Sequence, residues 1–166
     1  LHSRHALDLA RQWLAPSLVA RTRLIPHLRR LVTPPDRRLA RLGLGLGTED
    51  FVVCAFGFIG PSKCSHELLA AWQASDLGAH PECRLVFVGQ NAEGPYGAEL
   101  ADRLGADGRT RITGYAAPED YRRWLAAADL AVQLRRNSRG ETSGTGLDCL
   151  AQGITLSLSA LGGMTD

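Results

Sequence analysis

Lysine is almost missing from this sequence. Of its nineteen basic residues eighteen are Arg, and Lys63 is the sole Lys. Other absences are as telling. No stretch approaches the roughly 20 apolar residues of a membrane span, and no signal-peptide pattern opens the chain. Cys54, Cys64, Cys83 and Cys149 form no CxxC pair, and three of them sit in or beside apolar runs. Buried free thiols in a reducing compartment are expected, rather than a disulfide framework. The five His residues lack metal-ligand spacing, and His66 reads as a surface or capping residue at a helix start, so no metal is expected. There is no GxxxxGK[ST] loop and no GxGxxG after the first strand, which argues against P-loop chemistry and classical NAD binding. Internal repeats and low-complexity tracts are absent too.

What is present is ordinary in bulk. The 166 residues, 45% apolar and 22% charged, suit one soluble globular domain able to bury most of a core. The chain opens on Leu1 rather than Met, so a piece of a longer polypeptide is expected. The net charge of +2 is uneven: residues 1–50 hold nine Arg against four acids, and the remainder holds ten basic groups against thirteen acids. A basic front can touch anionic lipid or nucleic acid, but these Arg residues are spread over helix-like segments. A solvated face is the favoured reading.

Residues 3–14 place Ala6, Leu9, Ala10, Trp13 and Leu14 at helical spacing, on a helix that could pack on something outside the chain. Leu24-Ile25-Pro26 reads as an extended connector, and Pro34-Pro35-Asp36 starts a short helix, Arg37 to Leu42, ended by Gly43. From Phe51 the rhythm changes. Phe51 to Phe56 is a continuous apolar run, as expected of a strand buried on both faces. A loop, Gly57 to Cys64, leads to a helix from Ser65 to Ser75. Arg84 to Gly89 is a second strand, Tyr96 to Leu104 a helix, and Arg111 to Tyr115 a third strand. Pro118, with Glu119 and Asp120 in the first turn, opens a helix through Ala128. Asp129 to Leu134 and Ile154 to Leu158 are the fourth and fifth strands, with a helix between them. Such alternation predicts an α/β fold: a Rossmann-like, doubly wound parallel sheet with helices on both faces. Ligands of such sheets bind outside the carboxyl ends of the strands. That rim carries Gly57–Cys64, Gly89–Pro95, Gly114–Ala117 and Arg135–Ser143. After the fifth strand the chain stops where a sheet of this kind often continues, so truncation at that end is expected.

The stretch from Leu134 to Asp148 organises the rest. Ser143 is a plausible N-cap, which leaves backbone N–H groups around Gly144 to Gly146 pointing outward. Such a helix end attracts phosphate or carboxylate. Glu141 and Asp148 add two acids beside it, and a sugar nucleotide carries both the anion and the hydroxyls that would use them. Lys63 lies on the same rim, either as a chance survivor of an Arg-rich composition or as a cation for phosphate. Gly57-Phe58-Ile59-Gly60 lets backbone approach a ligand, or is only a turn. Glu141 can equally be an acid favoured near a helix N-terminus, and Asp148 an exposed helical acid sharing a face with Gly144 and Thr145. Among Arg135, Arg136 and Arg139, otherwise solvated loop charges, Arg139 is favoured as a phosphate neighbour. Asp102, Asp107, Glu119 and Asp120 read as helix-surface groups.

Taken in order, Phe56-Gly57, Lys63 and Glu67-Leu68-Leu69, then Ser138-Arg139-Gly140-Glu141, Leu147-Asp148 and Ala151-Gln152-Gly153, resemble a known pattern. It is that of the donor-binding, C-terminal domain of retaining GT-B glycosyltransferases of the group-1 family, which includes sucrose and mannosyl transferases. Arg23-Leu24-Ile25-Pro26 is similar to the linker entering that domain, and Tyr121 to Asp129 to the segment before its fourth strand. The resemblance divides the chain into an N-terminal helix and linker, 1–35, and a nucleotide-sugar-binding domain, 36–166. It implies transfer of a sugar from a nucleotide-diphosphate donor to a glycan, lipid or other acceptor, without metal or cofactor. Lys63 and the amides of Gly144 and Thr145 would hold the diphosphate, assisted by Gly57, Phe58 and Arg139. Gly114 and Tyr115 would hold the base, Glu141 the sugar hydroxyls and Asp148 the ribose. Glu141 and Lys63 would be the catalytic pair. The implied partners are the nucleotide sugar and an N-terminal acceptor-binding domain of the same polypeptide, with no nucleic acid. The implied location is the cytoplasm, at the inner face of the membrane if the full-length protein makes peripheral contact there.

Two departures stand out. The family usually carries two Glu with one more residue between them than separates Glu141 from Asp148. The Arg commonly found shortly before the lysine is replaced by the Phe58-Ile59 region. Competing readings are a GT-B epimerase, a phosphorylase-like enzyme whose pyridoxal lysine would have to be Lys63, and a non-catalytic Rossmann-like domain that binds or regulates a partner.

Overall fold

The computed structural model describes residues 1–30 and 32–165. Five parallel strands form one sheet: β1 (Phe51–Phe56), β2 (Cys83–Val88), β3 (Thr110–Ile112), β4 (Leu130–Gln133) and β5 (Thr155–Leu158), in the order β3-β2-β1-β4-β5. The helices are α1 (Arg4–Trp13), α2 (Pro16–Ala20), α3 (Arg37–Gly43), α4 (Ser65–Gln73), α5 (Asp76–Ala79), α6 (Pro95–Asp102), α7 (Pro118–Ala127) and α8 (Gly144–Ala151).

The apolar runs make strands because both sheet faces are covered. Along β1, Val52, Cys54 and Phe56 point to one side and pack with Trp124 and Leu125 of α7 and Cys149 of α8. Val53 points to the other and packs with Leu69 and Trp72 of α4 and Leu100 of α6. β2 repeats the pattern, with Val86 and Val88 on the first face and Leu85 and Phe87 on the second. Alternate side chains of a strand face opposite ways, so the apolar residues from Val52 to Phe56 and from Leu85 to Val88 enter one core or the other, while Phe51 at the strand start is exposed. Cys54, Cys83 and Cys149 are buried and all four Cys are free thiols. Burial pushes the Cys149 thiol up to about 12.

Several boundaries differ from the sequence expectation, each for a local reason. The helix expected over Ser65 to Ser75 ends at Gln73. The Ser75 hydroxyl then accepts the Gly78 N–H at 3.2 Å and starts the separate α5. The third strand stops at Ile112 rather than Tyr115, because Thr113 turns its hydroxyl onto Gly114 O (2.8 Å) while accepting the Gly89 N–H (3.1 Å). Ile154 leaves the fifth strand because its N–H returns to Cys149 O at 3.0 Å. Asp107 is not on a helix; it accepts the Arg109 backbone N–H and guanidinium in the turn before β3. On α1 the small residues Ala6 and Ala10 are buried while Trp13 is 80% exposed, so Trp13 is not part of the packed face. That face lies against Gly140, whose Cα would place a Cβ 3.3 Å from Ala6, and against the final turn at Gly162–Met164. The helix thereby braces the loop that leads to α8.

Behind the sheet, Arg41 of α3 is buried and donates to Asp129 Oδ2 (2.6 Å), Thr48 O (2.7 Å) and Ala127 O. Asp129 also accepts from Arg37 and from the Val52 N–H at 2.8 Å. One carboxylate therefore joins α3, β1 and the entry to β4. Removing one partner of a buried ion pair leaves an uncompensated charge, at a cost of about 3 kcal/mol. Asp129→Ala is expected to lower the unfolding free energy by about 3 kcal/mol in urea titration; a loss below about 1 kcal/mol contradicts the assignment.

Candidate functional site

The sheet order reverses between β1 and β4, since β1 is followed by β2 on one side while β4 is entered from the other. Loops leaving these two strands diverge and open a crevice. Gln133, buried at the end of β4, spans the gap. With its amide oriented to satisfy both ends, it accepts the Phe56 N–H (2.7 Å) and donates to Phe56 O (3.1 Å) and the Thr145 hydroxyl (3.0 Å). Above Gln133 lies an open cleft of about 530 Å³.

Six of the residues singled out from the sequence line this cleft: Gly57, Phe58, Lys63, Gly144, Thr145 and Asp148. Gly57 has φ 104°, a region that favours glycine, and turns the chain out of β1. The following loop is zipped to the loop after β2 by Ile59 N–H to Gln90 O and Ala92 N–H to Ile59 O, both 2.9 Å. It then forms a tight turn, Pro61–Lys63, closed by Cys64 in the left-handed conformation (φ 52°). The loop after β4 is tied to that turn, because the Arg136 N–H donates to Ser62 O at 3.1 Å and the Arg136 guanidinium pairs with Glu67. Two loops distant in sequence thus form one wall.

Lys63 is the chemically unusual member. Its ammonium makes no hydrogen bond or ion pair among the described residues. Burial, and then the neighbouring Arg135 charge, lower its pKa to about 8, with Glu141 opposing. On the opposite wall, Ser143 caps α8, its hydroxyl accepting the Gly146 N–H at 3.1 Å and its carbonyl the Leu147 N–H at 3.0 Å. Among the described residues the N–H groups of Gly144 and Thr145 have no such acceptor, as expected in the first turn of a helix. A desolvated cation and the free N–H groups of a helix's first turn thus line one cleft, an arrangement suited to an anion.

The acids are placed differently from each other. Asp148 borders the cleft with its side chain about 30% exposed. Its Oδ1 is ion-paired with Arg29 Nε at 2.8 Å, and its Oδ2 accepts from the Tyr121 hydroxyl at 3.0 Å. Burial, reinforced by the Asp148 charge and this bond, pushes the Tyr121 hydroxyl pKa upward, so it stays a donor. Glu141 sits behind Arg135, accepting its guanidinium at 3.1 Å and the Arg139 N–H at 2.6 Å. Burial acts to raise the Glu141 pKa, but backbone hydrogen bonds and the Arg135 and Arg139 charges outweigh it and hold the carboxyl below its usual range.

Arg135, not Arg139, is the Arg of this loop that lines the cleft; Arg139 is exposed and meets Glu141 through its backbone. Tyr115 is 77% exposed and lines an adjacent cleft of about 420 Å³ that shares Ala116 with the first. Gly114, with φ 73°, is the turn that presents Tyr115 there. Sequence reasoning missed Arg29, Tyr121 and Gln133. Tyr121 was read only as a helix residue, and Gln133 as part of an apolar run whose polar character was the available signal. Arg29 carried no signal, being one Arg among many in a connector. Among the described residues no cluster of three or more His, Cys, Asp or Glu is placed to hold a metal ion, and no helix is long and apolar enough to cross a membrane.

Because the folded pKa of Lys63 lies below that of an unfolded lysine, the unfolded chain binds the extra proton between about pH 8 and about 10.5. Folding stability from this group therefore rises with pH across that window. Lys63→Met is expected to abolish that rise when unfolding midpoints of the two proteins are compared from pH 7 to 10.5. Parallel profiles contradict a desolvated Lys63.

No family model matches the chain. A D-inositol 3-phosphate glycosyltransferase of a Nocardioides strain is 34% identical across a 148-position alignment that takes in 80% of this chain and 31% of that protein. Anabaena HepE, solved with UDP-glucose, superposes with a TM-score of 0.80 at 22% identity, covering 99% of this chain and 45% of that one. The C-terminal domain of a glycosyl transferase group 1 family protein, LpcC of Francisella tularensis, superposes with a TM-score of 0.68 at 17% identity, covering 82% of this chain and 71% of that domain. The chain thus spans less than half the length of the first two relatives. The two solved structures share its fold, a Rossmann-like half of GT-B, and the sequence match over four fifths of the chain is to a glycosyltransferase.

Proposed function

We propose that this chain is the donor-binding part of a retaining glycosyltransferase, and that the cleft between β1 and β4 takes a nucleotide-diphosphate sugar. The observation that carries the reading is the pairing of the desolvated Lys63 with the uncapped N–H groups of Gly144 and Thr145 across one cleft. A diphosphate supplies the two or more oxyanions that such an arrangement lacks. Its charge would restore the Lys63 pKa, since an opposite charge favours the protonated form.

In the transfer step negative charge builds on the departing diphosphate. Fixed donors that already point at that position stabilise it without reorganising. Lys63 and the α8 N–H groups are such donors, and Arg135 adds a second cation whose orientation Glu141 fixes at 3.1 Å. Asp148 faces Arg29 with one oxygen and accepts from Tyr121 with the other, and a carboxylate has about four acceptor positions. Two remain for ribose hydroxyls. Phe58 and Tyr115, both exposed at the rim, offer apolar faces to base or sugar. Glu141 reaches the donor sugar only if its bond to Arg135 is exchanged, so its role in the site is to set that guanidinium until a ligand arrives. No metal is assigned a part in neutralising the diphosphate. The acceptor site belongs to an N-terminal domain of the same polypeptide, with peripheral membrane contact an attribute of the whole protein. This chain alone binds the donor and transfers nothing.

Isothermal titration with UDP, GDP and their sugars tests this. A hydrogen bond to a charged group contributes about 1.5–3 kcal/mol, so Lys63→Ala is expected to weaken binding by roughly 10- to 100-fold. Folded protein that binds none of these ligands at millimolar concentration supports a non-catalytic, partner-binding domain instead.

A further inference from the structure

The segment before the sheet contributes one residue to the cleft. Arg29 lies in the irregular stretch between α2 and α3, yet it lines the same cavity as Lys63, Arg135 and Asp148. Its Nε donates to Gly144 O (3.2 Å) and lies 2.8 Å from Asp148 Oδ1 in an ion pair. A Cβ built on Gly144 would fall 2.1 Å from Arg29 Nη2 and 3.4 Å from its Cζ, so the Nη2 end of the guanidinium abuts the first residue of α8. A side chain at position 144 would expel it.

Two features of this contact need explaining. A guanidinium carries five N–H donors. Only Nε has a hydrogen bond to the protein among the described residues, so the Nη groups, of which Nη2 abuts Gly144, have donors to spare where Arg29 lines the cleft. The location is also electrostatically wrong for a lone cation, since the N-terminal end of a helix is positive. Asp148 offsets part of that repulsion. An oxyanion between the guanidinium and the Gly144 and Thr145 N–H groups would offset the rest and use those donors.

We propose that Arg29 is a phosphate-binding cation of this cleft, delivered by the linker and held in position by Asp148. It would complete a ring of three cations, with Lys63 and Arg135, around the diphosphate. The Asp148 carboxylate then has a second duty besides any contact with ribose: it aims Arg29. Because the linker supplies a ligand contact, donor binding also orders the linker against α8.

The inference rests on the donor-site reading, and titration separates the two. The chain is titrated with UDP and with inorganic pyrophosphate at two salt concentrations, as wild type, Arg29→Ala and Arg29→Gln. Gln retains an amide able to bond Asp148 but carries no charge, so it serves if the Ala variant fails to fold. Both variants are expected to lose about tenfold or more in affinity for each ligand and to show weaker salt dependence, since a screened charge contact is gone. Unfolding midpoints report whether the fold is intact. Unchanged affinity overturns the proposal and leaves Arg29 as a partner of Asp148 alone. Tighter binding overturns it in the other direction and makes Arg29 a plug. Wild type that binds neither ligand removes the donor-site reading itself, a different result from wild type that binds and variants that are indifferent.

Discussion

Everything in the site depends on the parting of the sheet between β1 and β4, and on the buried amide that spans it. Beyond the pairing of Cys54 with Ala131, the two strands no longer share a ladder. Gln133 replaces the missing backbone bonds by gripping both polar groups of Phe56. A buried backbone pair left without partners is costly, so the amide is what lets the strands separate without that penalty. Its remaining donor holds Thr145, and through Thr145 the start of α8. The crevice between the strands and the start of α8 are therefore one connected feature.

Around that floor the protein arranges charges that are incompletely satisfied. Lys63 is desolvated and unpaired among the described residues, Arg135 presses on it electrostatically, and Arg29 lies over a positive helix end. Each acid is paired with a cation: Glu141 with Arg135, and Asp148, which also lines the cleft, with Arg29. Like charges gathered without full compensation cost folding stability. A bound anion would recover that cost, which is the physical meaning of a preorganised site.

Much of this was legible in the sequence because its signals are local. The Phe51–Phe56 run, the Pro118 helix start and the Ser143 cap each follow from a few neighbouring residues, and each element is found. The resemblance to the GT-B family rested on short motifs in order, and both the fold and the sequence match agree with it. What the sequence could not show is long-range. Arg29 meets Asp148 across 119 positions, and nothing near Arg29 marks it out from the other Arg residues of the front segment. The choice between Arg135 and Arg139 likewise depends on how the loop folds back on Ser62, a tertiary contact. Element ends moved for the same kind of reason, as at Thr113, whose hydroxyl serves Gly89 from the adjoining loop.

The central claim is that an anion occupies the cleft between Lys63 and the start of α8. A crystal structure of this chain grown with UDP addresses it most directly. The account predicts diphosphate oxygens within hydrogen-bond distance of Lys63 Nζ and of the Gly144 and Thr145 N–H groups, with Asp148 beside the ribose. UDP bound elsewhere on the molecule, with Lys63 and the α8 N–H groups still uncontacted, would contradict it.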